Sequence, residues 1–237
     1  MNFLDCTLRD GGYYNNWDFD PAKAKKLIDS LNQSGVNIIE IGYKTPVPQN
    51  EYFGLFRYCN EDFLSFLNKD DSADYAFMID VKQFIKGNEI DTEALDEQIK
   101  PSEKSFFKWC RLASHYNTIE YIPAFTRYFK EIGYRVTFNL MGGSLLSYEQ
   151  IKQGLIKAEE GKVDVFYLAD SFGSFYPEDV RKLMNFFKEH YGGKIGCHMH
   201  ENQGMAYPNS MVALEEGADF IDGTLSGMGR GAGNLQT

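Results

Sequence analysis

Val36-Asn37-Ile38-Ile39-Glu40-Ile41 is apolar on both faces of a strand rather than on one. Successive side chains of a strand point to opposite faces, so a half-exposed strand alternates apolar with polar residues. Apolar residues on both sides fit a parallel sheet whose outer side is covered by helices. Strand-like segments of this kind recur along the chain, at residues 2–8, 36–43, 75–81, 105–113, 135–141, 163–169, 194–200 and 218–225.

The segments between them carry helix punctuation. Asp20 caps a helix with Pro21 at its first position, Leu27, Ile28 and Leu31 form the apolar stripe, and Gly35 ends it. Ser147-Tyr148-Glu149-Gln150 reads as a capping box, followed by Ile151, Leu155 and Ala158, with Gly161 as the stop. Pro177 opens a helix with the stripe Val180, Leu183, Met184 and Phe187, and a short helix over 209–216 closes at Gly217. About eight strands alternating with helices in 237 residues match an α/β fold of the (β/α)₈ TIM-barrel type. A doubly wound open sheet is the other reading; no Gly-x-Gly-x-x-Gly follows the first strand, which weakens its dinucleotide-binding form. No linker-like stretch interrupts residues 1–237, so we expect one catalytic domain. The longest irregular connections are 44–60 and 82–104. The chain stops at Thr237, shortly after the eighth strand, so the expected barrel lacks its final helix and any C-terminal domain.

The formal net charge of −10 argues against a nucleic-acid partner and against an anionic membrane surface. Cys6, Cys59, Cys110 and Cys197 form no Cys-x-x-Cys pair and read as buried free thiols. The chain begins almost directly with a strand and has no apolar run long enough to span a bilayer, so a cytoplasmic protein is expected.

In a barrel the functional groups sit at the carboxyl ends of the strands. Those ends deliver Arg9 and Asp10, Glu40, Asp80, Arg111 with Ser114 and His115, Asn139, Asp170 and Ser171, and His198 with His200. The eighth is followed by Gly227-Met228-Gly229-Arg230-Gly231-Ala232-Gly233-Asn234. His198 and His200 lie two apart on a strand, so both imidazoles project to one face and Met199 turns away. Two convergent imidazoles are most of a catalytic metal site; two polar residues on an exposed strand face are the alternative. Strands seven, eight and one are neighbours around a closed barrel, which brings Asp10 and Asn234 near the histidines. That mixed N/O set suits Mn²⁺, Mg²⁺ or Zn²⁺. Read singly, Asp10 before Gly11-Gly12 is equally a turn former, and Asn234 is a capping or turn residue.

Thr7-Leu8-Arg9-Asp10-Gly11, Glu40, the His-x-His pair, Ala213-Leu214-Glu215-Glu216-Gly217-Ala218-Asp219 and the Gly-rich segment ending Gly233-Asn234 resemble the DRE-TIM metallolyase superfamily, in the same order and over essentially the whole chain. The superfamily holds 4-hydroxy-2-oxovalerate aldolases, hydroxymethylglutaryl-CoA lyases and the isopropylmalate and homocitrate synthases. Gly11-Gly12-Tyr13 stands where the synthases carry Gly-Glu-Gln, and residues 222–234 lack the cysteine of the CoA lyases. The Gly227-to-Asn234 loop and Arg111 with Ser114-His115 are similar to the aldolase branch.

The resemblance implies a metal-dependent lyase that cleaves or forms a 4-hydroxy-2-oxo acid through a pyruvate enolate, releasing or taking up an aldehyde. It implies Asp10, His198, His200 and Asn234 as metal ligands, with Mn²⁺ or Mg²⁺ ahead of Zn²⁺. Arg9 would meet the developing negative charge, Glu40 would orient Arg9 or a water, and Asn139, Asp170 and Ser171 would line the substrate pocket. Asp80 reads as half of a buried structural pair. A homo-oligomer is compatible with all of this. One residue departs from the pattern: Tyr13 stands where the aldolases carry a catalytic histidine. An imidazole titrates near neutrality and a phenol near about 10, so Tyr13 donates readily but is a poor base. Tyr14, Glu40 and His115 are the other candidates for proton transfer. A Claisen-type acyl-CoA/2-oxo acid synthase, a sugar-related aldolase and a metal-binding homologue without turnover remain as alternatives.

Overall fold

The computed structural model describes residues 1–67 and 72–237. Eight parallel strands close into a barrel: β1 (Asn2–Asp5), β2 (Ile38–Tyr43), β3 (Asp74–Asp80), β4 (Trp109–Ser114), β5 (Arg135–Leu140), β6 (Val165–Asp170), β7 (Lys194–Met199) and β8 (Phe220–Gly223). Each pairs with its sequence neighbours, and β1 closes the ring on β8 with Asn2 opposite Phe220 and Asp5 opposite Gly223. The expected barrel is therefore the observed one. Helices α1 (Pro21–Gln33), α2 (Thr92–Gln98), α3 (Ile122–Glu131), α4 (Tyr148–Gly161), α5 (Pro177–His190) and α6 (Ala206–Glu215) connect the strands. Among the described residues no helix is long and apolar enough to cross a membrane.

Two hydrophobic layers hold this arrangement. The larger lies between strands and helices and includes Phe77, Phe107, Phe125, Phe129, Phe138 and Phe166, all fully buried. Burying each such ring contributes roughly 1.5–3 kcal/mol. The smaller fills the barrel with Leu4, Ile38, Ala76, Trp109, Val165, Tyr167 and Phe220. Gly196 is required there, because a Cβ at that position would lie 2.2 Å from the Tyr167 ring. Above this plug the barrel interior changes to charged residues.

Several boundaries differ from the sequence expectation, for physical reasons. The first strand ends at Asp5, not Leu8, because the Asp5 carboxylate accepts hydrogen bonds from Thr7 N and Oγ1 and turns Thr7–Asp10 into one helical turn. The apolar residues Phe106 and Phe107 precede β4 rather than belonging to it; Phe106 N is tied to Glu61 Oε2. The capping box at Ser147 and Gln150 is present. The left-handed stop after α4 is Lys162, at φ 55°, rather than Gly161. Helix α6 starts at Ala206, three residues before the expected point.

The two long connections are also structured. Residues 82–104 hold a small antiparallel hairpin, with Ile85 opposite Ile90, and then α2. Between β2 and β3 the described residues contain only short 3-10 pieces, Leu55–Arg57 and Phe63–Phe66. That segment hangs over the barrel mouth and supplies aromatic residues there. After β8 the chain makes a 3-10 turn (Leu225–Gly227) and returns across the mouth, where Asn234 bridges His200 and Gln236 lies beside Thr224.

Candidate metal and substrate site

The helical turn Thr7–Asp10 places Arg9 and Asp10 over the barrel mouth; β7 carries His198 to the same point, and His200 follows just past the end of the strand, bridged to Asn234. Asp10, His198 and His200 bring one ligand atom each to within 4.8 Å of one another. Asp10 Oδ2 lies 3.6 Å from His198 Nε2 and 4.0 Å from His200 Nε2. All three residues are buried. The opposite ring nitrogens are held: His198 Nδ1 meets Asp222 Oδ2 at 2.9 Å, and His200 Nδ1 meets the Arg230 carbonyl at 3.1 Å. With Nδ1–H donating outward, each Nε2 turns its lone pair toward the cluster, the arrangement that orients metal-binding histidines.

Burial and the neighbouring His198 lower His200 to about 4, so its imidazole is neutral near pH 7. Burial alone would raise Asp10, but Arg9, the two histidines and Asn234 outweigh it and hold Asp10 below the usual carboxylate range. A neutral imidazole and an ionised carboxylate are the ligating forms. The donor set therefore fits a divalent cation of the Mn²⁺, Mg²⁺ or Zn²⁺ kind.

Asn234 reaches the cluster but presents its amide nitrogen: Nδ2 donates to Asp10 Oδ2, while Oδ1 is buried without a partner. Amide oxygen and nitrogen are distinguished only by such bonds. Ligation through Oδ1 requires the amide to turn over, which would also relieve the orphaned oxygen.

Beneath the cluster lies a chain of buried charges. Arg9 donates from Nε to Glu40 Oε2 at 2.8 Å and from Nη1 to Asp10 Oδ1 at 2.6 Å. Arg111 donates to the same Glu40 oxygen at 2.9 Å and to Asp222 Oδ2 at 2.6 Å. Glu40 and Arg111 are fully buried in the barrel. Glu40 thus orients Arg9 and pairs with Arg111; it does not reach the mouth itself. Burial would raise Asp222, yet Arg111 and His198 hold its carboxylate below its usual range.

The other expected site residues divide. Tyr13 and His115 both line a mouth cavity of about 460 Å³, together with Tyr43, Arg57, Met141 and Arg230. Tyr13 and Tyr43 hydroxyls lie 3.2 Å apart, and Tyr14 is exposed. Asn139, Asp170 and Ser171 do not line that cavity. Asp170 spends both oxygens on Ser174 N and Phe175 N, Ser171 Oγ accepts from Gly142 N, and Asn139 accepts from Thr137. The bonds of Asp170 and Ser171 shape the loops after β5 and β6, and that of Asn139 stays within β5. Among the described residues Asp80 has no ion-pair partner: it caps its own loop by accepting from Lys82 N and lines the cavity.

Sequence reasoning gave no role to Trp17, Tyr43, Arg57 or Asp222. Trp17 packs on Gly12, where a Cβ would lie 2.2 Å from its ring, and donates to the Arg9 carbonyl at 2.7 Å. Asp222-Gly223 at the end of β8 was the one legible signal among these, since an acid there faces the histidines of β7.

A barrel with Asp10, His198 and His200 at its carboxyl mouth, backed by Arg9 and Glu40, has the architecture of a DRE-TIM metallolyase. A family model described as HMGL-like matches residues 104–237, and the chain belongs to this family. It is 27% identical to an oxaloacetate decarboxylase of Mycobacterium tuberculosis H37Rv, over 98% of this chain and 66% of that protein. It is 26% identical to a 4-hydroxy-2-oxovalerate aldolase of Carboxydothermus hydrogenoformans, over 100% of this chain and 68% of that protein. The chain thus spans about two thirds of the length of these relatives. The crystal structure of the N-terminal domain of a protein from Bacteroides vulgatus, described as a candidate aldolase, superposes with a TM-score of 0.86 at 31% identity, over 100% of this chain and 77% of that one. The hydroxymethylglutaryl-CoA lyase of Bacillus subtilis shares the fold, with a TM-score of 0.77 at 16% identity over 100% of this chain and 82% of that one.

Proposed function

We propose that the chain is a divalent-metal-dependent carbon–carbon lyase of the aldolase kind, acting on the C3–C4 bond of a 2-oxo acid, one carbon removed from the keto group. The observation that carries this reading is the convergence of Asp10, His198 and His200 beside Arg9 at the barrel mouth. Asp10, His198 and His200 would hold the cation, with Asn234 joining through its amide oxygen. A bound divalent cation supplies Lewis-acid stabilisation of negative charge on the 2-oxo acid.

The chain's own residues supply the rest. Arg9 has Nε and Nη1 engaged by Glu40 and Asp10, which fixes its guanidinium and leaves Nη2 to meet the enolate charge as it develops. Glu40 is clamped by Arg111 and so holds Arg9 in one orientation. In the cleavage direction the distal hydroxyl loses its proton, the carbon–carbon bond breaks, and its electron pair forms the enolate while the aldehyde departs. His115, on the wall of the mouth cavity, is the group available to take and return that proton, with Tyr13 on the same wall as a hydrogen-bond donor.

Decarboxylation of a 2-oxo diacid is the second reading, and the Tyr13–Tyr43 pair favours it. Burial pushes Tyr43 well above the ordinary phenol range, and it lies against Tyr13. Tyr43 therefore stays protonated, able to donate a hydrogen bond but not to take up a proton. Loss of CO₂ needs no base, only a donor to protonate the enolate carbon.

Hydrogen–deuterium exchange at C3 of pyruvate, with and without Mn²⁺, tests the shared enolate step. Mn²⁺-dependent exchange that disappears in Asp10→Asn and His200→Ala is expected. No exchange by folded, Mn²⁺-loaded wild-type protein would overturn the lyase reading. CO₂ release from oxaloacetate, against aldehyde release from 4-hydroxy-2-oxopentanoate, separates the two reactions.

A further inference from the structure

Arg57 is a cation without an anion. It ends the 3-10 turn over the barrel mouth and lines the same cavity as Tyr13 and His115. Its guanidinium lies 4.5 Å from the centre of the Tyr43 ring, 5.2 Å from that of Trp17 and 5.8 Å from that of Phe53. Among the described residues no carboxylate stands within ion-pair distance of it, and its buried Nη1 has no hydrogen-bond partner. A buried, unpaired donor on a charged group is costly unless something accepts from it. Stacking on three rings holds the guanidinium in place but satisfies none of its N–H groups.

The surroundings say what would accept. The cavity is about 460 Å³, room for a small molecule. Its lining holds one carboxylate, Asp80, which accepts from Lys82 N through Oδ1, against two cations, Arg57 and Arg230. Tyr43 is a shared wall: Arg57 stacks on it, and its hydroxyl meets that of Tyr13. Arg230 is the other link, since its carbonyl holds His200. Arg230 thus belongs both to the wall of this cavity and to the support of the Asp10–His198–His200 cluster. An otherwise acidic protein, net −10, presents here a cationic, aromatic-walled recess.

We propose that Arg57 binds an anionic group, carboxylate or phosphate, on the part of the substrate remote from the reacting 2-oxo acid. Arg57 is thus a specificity-determining residue for an aldehyde that carries a negative charge. This rests on the lyase reading above and narrows its substrate class. A planar guanidinium with free N–H groups suits bidentate contact with either anion.

Matched aldehydes condensed with pyruvate in the presence of Mn²⁺ test it: acetaldehyde against glyoxylate for a carboxylate, and glyceraldehyde against glyceraldehyde 3-phosphate for a phosphate. The expected result is a kcat/KM at least about tenfold higher for the charged member of one pair, the size of one charge-assisted hydrogen bond. The pair that shows it identifies the anion. The preference should collapse toward unity in Arg57→Leu and return in part in Arg57→Lys, which keeps the charge but not the fork. A readout without turnover comes from Trp17, whose fluorescence should respond saturably to inorganic phosphate in the metal-free wild type and not in Arg57→Leu. A preference for the neutral aldehydes, or the same ratio and the same phosphate titration in both proteins, would overturn the proposal while pyruvate exchange kept the lyase reading. Absence of pyruvate exchange would remove that reading, and the phosphate titration alone would then decide whether Arg57 is an anion site.

Discussion

Asp222 serves two partners with one oxygen: Oδ2 accepts from Arg111 Nη2 and meets His198 Nδ1. Removing it leaves Arg111 fully buried with only Glu40 to balance it. Breaking a buried pair from one side costs about 3–5 kcal/mol, so Asp222→Ala should lower the unfolding free energy by that amount in a urea titration. Asp222→Asn keeps an acceptor and should cost less. It should nevertheless weaken Mn²⁺ binding by about 10–100-fold in calorimetry, because His198 loses the carboxylate that fixes its tautomer. Asp5 shows the opposite electrostatics. Burial raises it to about 6, with Glu40 and Asp222 adding to the shift against the lowering bonds from Thr7. A carboxyl raised on folding binds its proton more tightly in the native state. Its contribution is thus fully present below the unfolded value of 3.8 and lost as pH rises through about 6. Asp5→Asn should therefore be more stable than wild type at pH 7, by roughly 1–3 kcal/mol, and the difference should vanish near pH 4. Equal stability of the two proteins across that range would show that Asp5 is not held protonated by its surroundings.

At the scale of the element, what the sequence shows depends on whether a feature is local. The capping box at Ser147 and Gln150, Pro21 behind Asp20, and the His-x-His spacing on β7 are set by residues a few positions apart, and each is found as read. The end of β1 was misread because Asp5 looks like a strand residue and acts as a turn acceptor, through a side chain whose partner is two residues on. Asp170 and Ser171 looked like pocket residues because they follow a strand; their bonds to Ser174, Phe175 and Gly142 show that the loops needed them. Arg57, Trp17 and Tyr43 meet only because an irregular connection folds over the mouth, and no periodicity announces that. Gly196 is a further case, since its reason lies across the barrel. A Cβ there would meet Tyr167 at 2.2 Å, so Gly196→Ala should destabilise by about 1–3 kcal/mol. Combined with Tyr167→Leu, which clears the space, the loss should be smaller than the sum of the single changes. Strict additivity in denaturant unfolding would mean that the two residues do not compete for one volume.

At the scale of the whole molecule, the barrel brings two overlapping sets of ligand atoms together: Asp10, His198 and His200, and Cys6, His198 and Asp222. They share His198 and cannot both use it in the same way. In the second set His198 Nδ1 already meets Asp222 at 2.9 Å, and burial pushes the Cys6 thiol well above its ordinary range, away from the ligating thiolate. The first set offers two imidazole Nε2 atoms and an ionised carboxylate, a harder donor set than one with a thiolate. A ligand that binds only the native state stabilises it by RT ln(1 + [L]/Kd), about 2.7 kcal/mol at a hundredfold excess over Kd. For a chain of this length that corresponds to a rise in Tm of roughly 5–10 °C. Saturating Mn²⁺ should produce such a rise in the wild type and in Cys6→Ser, and none in Asp10→Asn or in His198→Ala/His200→Ala. Loss of the shift in Cys6→Ser, with Asp10→Asn still responding, would move the metal to the other set. The helical turn Thr7–Asp10 would then serve the loop rather than the reaction.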